Sequence, residues 1–260
     1  MRKPAGGKIF EPRYGLHGIE QRAIACLERC RSKLKLKTIP LPIPIEQFIE
    51  GPLEIQFGIT DLSHLGEDVL GAVFIKDREI MVSENAMSNE GRFRFTCAHE
   101  LGHLTLHQNV AKEFREVYSE DPDAASLYEK QADRFAAAFL MPIPLLEQEL
   151  FRICRDQKLE WRACIVELMV PTPESEFLWR KRFLPVLTKR FAVSYTAALI
   201  RFENIRLKGG DQRPLLPPTI GKRLRERPDP EKTKVAVKIV NGKPVRYPVM
   251  KQGSLFEPTS

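Results

Sequence analysis

Three of the five histidines in this 260-residue chain, His99, His103 and His107, fall within nine residues. On a helix, His99 and His103 share one face because they are four residues apart, so they can offer two imidazoles to one metal ion. Glu100 directly follows the first of them. A carboxylate there can accept a proton from water as that water attacks a polarised carbonyl. The spacing predicts a hydrolytic centre with Zn²⁺ as cofactor, His99 and His103 as ligands and Glu100 as general base.

Apolar neighbours indicate that this run is buried. They are Phe95, Ala98, Leu101, Leu104 and Leu106. Imidazole and carboxylate groups inside such a helix need partners, and a metal ion provides one. The alternative is a pair of core histidines that make ordinary hydrogen bonds without a metal.

The third ligand must come from another part of the chain. His107 is eight residues after His99, or about 12 Å along a straight helix at about 1.5 Å per residue, so it is expected to be a supporting or surface residue. A second helical run, SLYEKQADRFAAAFLMP, places Glu129 and Asp133 on one face. The longer Glu129 suits ligation, and Asp133 suits accepting the N–H of a metal-bound histidine. The alternative, a solvated pair of acids, is disfavoured by the apolar AAAFL that follows.

The two motifs together resemble those of a known family. RFTCAHELGHLTLH followed by EKQADRFAAAFLMP is similar to the ImmA/IrrE metallopeptidases, whose pattern is HExxH and then ExxA(N/D)xFAxxLLMP. The positions that match the second motif are Glu129, Ala132, Asp133, Phe135, Ala136, Leu140, Met141 and Pro142. The likeness covers about residues 20–207, and it implies that Glu129 is the third zinc ligand and Asp133 its supporting acid.

The resemblance also implies a cytosolic, bacterial or phage-derived protease of narrow specificity. Members of this family typically cleave a helix-turn-helix transcriptional repressor encoded beside them, which releases genes after DNA damage or in mobile-element and phage-defence systems. We therefore expect such a repressor as substrate and a cytoplasmic location. The sequence contains no apolar run of about 18 residues, so no membrane partner is expected. The five cysteines, an odd and scattered set, indicate reduced thiols.

The elements that position the motifs indicate an α+β fold. Short strands are predicted at Glu54–Thr60, Val69–Ile75 and Glu79–Val82. Helices are predicted before and after them along the chain. We expect a mainly helical, zincin-like core with a small antiparallel sheet. The strand that ends near Met81–Ser83 is expected to be the edge that pairs with an extended substrate.

Three domains are predicted: the metallopeptidase over residues 1–165, a helix-turn-helix-like extension over 166–208, and a basic linker and tail over 209–260. Asn241-Gly242 predicts a β-hairpin in the tail. The candidates for contacting DNA bases in the extension are Tyr195, Thr196, Arg201 and Asn204. A packing or substrate-docking role for the extension is the alternative.

Charge is unevenly distributed along the chain. Residues 51–150 carry 8 Lys and Arg against 18 Asp and Glu, a net charge of −10, whereas residues 151–260 carry 23 against 11, a net charge of +12. This asymmetry predicts a polyanion, single-stranded DNA, as a partner of the basic half. Phe177, Trp179 and Phe183 beside Arg180 to Arg182 are candidate stacking residues, or core residues. The alternative for the tail is that its charge only keeps the protein in solution.

Two other functions stay open. One is a DNA-binding transcriptional regulator with a structural zinc site, although such sites normally have four protein ligands, often cysteines. Only Cys97 lies near the motif, and it is expected to point away into the core. The other is a pseudo-enzyme that only docks a repressor, which the intact Glu100 argues against. The oxyanion-stabilising group is not identified, with Tyr118, Tyr128 and Tyr195 as candidates.

Overall fold

The computed structural model describes residues 14–66, 68–108, 113–117, 127–206, 213–226 and 235–248. Within these ranges the helices are α1 (Leu16–Lys33), α2 (Ile45–Glu50), α3 (Glu90–Leu106), α4 (Leu127–Leu140), α5 (Ile143–Asp156), α6 (Trp161–Leu168), α7 (Pro173–Phe177), α8 (Leu184–Phe191), α9 (Tyr195–Asn204) and α10 (Pro218–Arg225). The strands are β1 (Gln56–Thr60), β2 (Val69–Phe74), β3 (Glu79–Ser83), β4 (Glu113–Val117), β5 (Val235–Val240) and β6 (Lys243–Pro248). Short 3₁₀ turns occupy Ser63–Leu65 and Glu84–Ser88, and a π-helical segment, Leu178–Phe183, lies between α7 and α8. The predicted mainly helical α+β class is confirmed.

The main sheet has the strand order β1-β3-β2-β4. β2 pairs antiparallel with β3 and β4, but β1 runs parallel to β3. The prediction of a purely antiparallel sheet is therefore wrong, because the sheet is mixed. The prediction that Met81–Ser83 forms an edge is also wrong, since β3 is paired on both sides. The edges are β1 and β4, and β4 was not predicted at all.

The chain divides into two compact units. The first contains residues 1–146 and 187–204, and the second contains residues 147–186 and 205–260. These boundaries differ from those expected after residues 165 and 208, and the division into three domains remains a prediction. All the predicted site residues lie in the first unit.

The core of the first unit forms where α4 packs against α3 and α1. One face of α4 is fully buried through Ala132, Phe135, Ala136 and Phe139. Gly102 of α3 lets the two helices approach closely: a Cβ there would lie 3.2 Å from the Cα and the carbonyl oxygen of Ala132. The glycine of the HELGH run thus sets the distance between the two motif helices.

Arg201 of α9 is a structural residue of the first unit. It is only 3% exposed, its Nε donates to the carbonyl oxygen of Met141 at 2.7 Å, and its two terminal nitrogens donate to the Glu20 carboxylate at 2.6 and 2.8 Å. Arg201 is therefore not available as a candidate for contacting DNA bases, and it has the packing role that was the alternative. Asn204 donates to Ile200 within its own helix, whereas Tyr195 and Thr196 are exposed.

We expect Arg201→Met to lower the free energy of unfolding by about 3–5 kcal/mol, because it leaves the partly buried Glu20 carboxylate without its partner. Lys189→Met, an exposed change on α8, is the matched control. Chemical denaturation of both variants measures the difference. Equal stability of the two would show that the buried pair does not fix α9 to the core.

In the second unit, Trp179 and Phe183 are fully buried, and the Trp179 indole donates to the carbonyl oxygen of Leu168 at 3.1 Å. They belong to the core, so they cannot form a stacking surface for nucleic acid. β5 and β6 form a hairpin whose turn residues have positive φ, 50° at Asn241 and 76° at Gly242, as a two-residue turn requires. No single helix in the described residues is long and apolar enough to cross a membrane; one pair, Pro173–Phe191 with Tyr195–Asn204, has the length and composition but bends by 108°.

Candidate metal centre

The centre is built on α3, which is buried along most of its length. Asn89 caps the N-terminus of the helix, and its side chain accepts a hydrogen bond from the Arg92 N–H at 3.0 Å. This cap satisfies one of the free N–H groups of the first turn. Two turns further on, the helix carries His99, Glu100 and His103, which are 2%, 0% and 0% exposed.

Glu129 of α4 completes a group of three converging donors. One donor atom from each of His99, His103 and Glu129 lies within 4.8 Å of the others. The two Nε2 atoms are 3.0 Å apart, and the Glu129 carboxylate oxygens lie 3.0 Å from His99 Nε2 and 3.5 Å from His103 Nε2. A tetrahedron with metal–ligand distances of about 2.0–2.1 Å has edges of about 3.3–3.4 Å, so these separations suit one zinc ion.

The protonation states of His103 and Glu129 also suit a cation. Burial lowers the pKa of His103 to about 4 and lowers that of His107, which keeps both imidazoles neutral near pH 7. Burial alone would raise the pKa of Glu129, but its contacts with His103 and His99 outweigh burial and hold that pKa below its usual range. The donor group, two imidazoles and one carboxylate, is of the kind that catalytic zinc sites use.

The neighbouring polar groups orient the two imidazoles. Asp133 Oδ1 lies 3.0 Å from His99 Nδ1, so the carboxylate can accept the Nδ1 proton and leave Nε2 directed at Glu129. His107, expected as a supporting or surface residue, is fully buried, and its Nδ1 lies 3.0 Å from His103 Nδ1. Both histidines of the HExxH run therefore have a partner on the nitrogen that faces away from Glu129.

Glu100 lies beneath strand β2, where Gly71 provides the space for its carboxylate. A Cβ at Gly71 would lie 2.6 Å from Glu100 Oε1 and 2.7 Å from Thr96 Cγ2. Sequence reasoning missed Gly71. The available signal was a glycine inside an apolar strand, which marks close approach of another group.

We expect Gly71→Ala to lower the turnover number by about 10²-fold, because the new methyl group displaces the Glu100 carboxylate by about 1 Å. Zinc content should stay unchanged, since none of the three donors moves. Gly18→Ala on α1, where a Cβ would meet nothing within 4 Å, is the control. Turnover and zinc content of both variants test the expectation, and an unchanged rate in Gly71→Ala would refute it.

Of the three tyrosines considered for the oxyanion, Tyr128 lies beside His107, with ring centres 5.1 Å apart. Tyr195 is 36% exposed on α9, and Tyr118 lies outside the described residues. Cys97 is fully buried in the core, as predicted. In the described part of the chain, no cysteine belongs to the converging donor group.

A protein-family model matches the part of the chain that contains α3 and α4. Residues 53–203 match the Peptidase_M78 model, which is described as an IrrE N-terminal-like domain. The match covers more than half of the chain and includes α3 and α4. No curated protein sequence matches the chain. The matched region, which carries the two motifs that resembled ImmA/IrrE proteins, shows that the chain belongs to the ImmA/IrrE family of metallopeptidases.

Proposed function

We propose that this protein is a zinc-dependent endopeptidase that cleaves one specific protein, with the metal held by His99, His103 and Glu129. The observation that carries the proposal is the convergence of these donors beside the buried Glu100. When bound, the zinc ion supplies Lewis acidity, which polarises the scissile carbonyl and brings the pKa of water to about 7.

The protein side chains supply the proton transfers and the alignment. Glu100 lies outside the donor group and next to His99 in sequence, so it can accept the proton of the attacking water and deliver it to the leaving amine. Asp133 keeps the His99 ring oriented. The buried surroundings of Glu100 strengthen its interactions with the reacting groups, because few water molecules screen them.

We propose that the substrate is a helix-turn-helix transcriptional repressor encoded beside this protein, and that cleavage in the cytoplasm relieves repression after stress or DNA damage. Support comes from family membership. The test is incubation of the zinc-loaded protein with the neighbouring repressor, with and without a single-stranded oligonucleotide, followed by mass spectrometry of the products. We expect one cut and two fragments. An intact repressor would refute the substrate proposal, even if another protein is cleaved.

The rival function, a DNA-binding regulator with a structural zinc, has less support. A closed structural site needs a fourth protein ligand. In the residues that the structure describes, the converging group has three members, and the side chain of Glu129 is 28% exposed. An open position that solvent can reach suits a catalytic site.

Single-stranded DNA is proposed as the activating ligand of the basic half. Support comes from exposed basic residues on two elements. Lys222, Arg223 and Arg225 lie on α10, and Lys243 lies in the hairpin. DNA damage exposes single strands, and a basic surface binds them without reading sequence.

We expect an oligonucleotide to stimulate cleavage and to bind more weakly as salt rises. Replacing Lys222 and Lys243 with glutamine should reduce the slope of log affinity against log salt by about 1.4, the value for losing two contacts to a single strand. Lys76→Gln, in the acidic part of the chain, is the control. If neither binding nor rate responds to DNA at low salt, the activation proposal is wrong and the peptidase proposal is unaffected.

A further inference from the structure

A third buried histidine, His107, follows His103 one helical turn later and is not one of the three donors. His107 Nδ1 lies 3.0 Å from His103 Nδ1, and His107 Nε2 lies 3.0 Å from Gln131 Oε1. Both His107 and Gln131 are 0% exposed. A line of polar groups therefore runs from the donor set into the packed interface of α3 and α4.

The donor set determines where the protons of this line lie. His103 Nε2 faces His99 Nε2 and Glu129, so as a metal ligand it must present a lone pair there. A neutral imidazole then carries its one proton on Nδ1. That N–H can donate only if His107 Nδ1 is an acceptor, so the proton of His107 lies on Nε2 and is donated to Gln131 Oε1. The opposite tautomer of His107 would bring two N–H groups together at 3.0 Å.

We propose that His107 and Gln131 form a relay that fixes the tautomer and ring orientation of His103, and that both are positioning residues for the metal centre. The proposal rests on the zinc site proposed above. The two histidine ligands are then supported differently. His99 is held by the Asp133 carboxylate, whose side chain is 35% exposed, whereas His103 is held by a neutral, fully buried pair.

A relay of this kind has a recognisable effect on metal binding. Removing a hydrogen-bond partner behind a ligand weakens metal affinity, because the ring must then be oriented at the moment of binding. Losing packing alone lowers stability without changing the orientation of the ring. The two roles can therefore be separated by comparing a change that removes the acceptor with a change that removes only buried apolar contacts.

The experiment measures zinc affinity by competition with a chromophoric chelator. We expect His107→Leu to weaken zinc binding by about 10–100-fold, as loss of such supporting partners typically does. His107→Asn should recover most of the affinity, because its side-chain oxygen can still accept the His103 proton. Leu104→Ala, a buried truncation on the same helix, should lower thermal stability but leave zinc affinity unchanged.

Nitrogen-15 NMR of the zinc-loaded wild type gives the second readout. We expect the proton of His103 on Nδ1 and that of His107 on Nε2. Zinc affinity of His107→Leu equal to wild type, or a proton on Nδ1 of His107, would overturn the relay while leaving the zinc site intact. A wild type that binds no zinc would instead overturn the zinc site, and the relay with it.

Discussion

Glu100→Gln is expected to reduce peptide hydrolysis by about 10²–10⁴-fold, the usual contribution of a general acid or base, without loss of zinc. Glutamine has nearly the shape of glutamate, so it can occupy the buried space beneath Gly71. It cannot accept a proton from the attacking water, and it cannot deliver one to the leaving amine. The loss should therefore appear in turnover and not in metal content.

The measurement combines repressor cleavage with elemental analysis of the same preparation. Glu90→Gln, an exposed change in the first turn of α3, is the matched control and should keep both activity and zinc. Cleavage by Glu100→Gln at the wild-type rate would refute the mechanism and favour the regulator function. Loss of zinc in Glu100→Gln would show that this residue is a ligand.

Glu129→Ala is expected to cause the largest loss of metal among changes outside α3. Wild type should retain about one zinc per chain, as a tetrahedral site with three protein ligands does. Glu129→Ala removes one of the three converging donors, so most chains should lose zinc on dialysis. His107→Ala removes only a partner behind a donor, and its loss of affinity should be limited to about 10–100-fold.

Elemental analysis after dialysis against a weak chelator compares the two variants. Arg134→Ala, on the same helix but outside the donor group, is the control and should keep its zinc. Equal loss of zinc in Glu129→Ala and His107→Ala would remove Glu129 as the third ligand. Wild type without zinc would remove the whole assignment.

The donor group could be predicted from the sequence because its residues come in two pairs, and the members of each pair are close together in the chain. The pairs His99/His103 and Glu129/Asp133 are each four residues apart, and helical geometry alone places each pair on one face. The prediction that the two pairs meet depended on the apolar pattern of α4, which indicated that the helix is buried. In the structure its buried face packs on α3. The family pattern independently included the same residues.

Features that depend on distant contacts could not be predicted in this way. The alternation of β1 and β3 indicates strands, but it does not reveal that they are parallel neighbours. Arg201 resembles a surface residue in sequence, and only the fold brings Glu20, 181 residues away, to its guanidinium. The role of His107 was open because its partner Gln131 lies 24 residues further along the chain.

X-ray absorption spectroscopy of the zinc-loaded protein tests the metal centre most directly. A site made of His99, His103 and Glu129 requires only nitrogen and oxygen neighbours at about 2.0–2.2 Å, together with the outer-shell scattering of two imidazoles. The Glu129→Ala variant, loaded with excess zinc, should keep the outer-shell scattering of the two imidazoles and lose the carboxylate oxygen neighbour. A sulfur neighbour at about 2.3 Å in the wild type would show a cysteine ligand, and it would contradict the proposed peptidase centre.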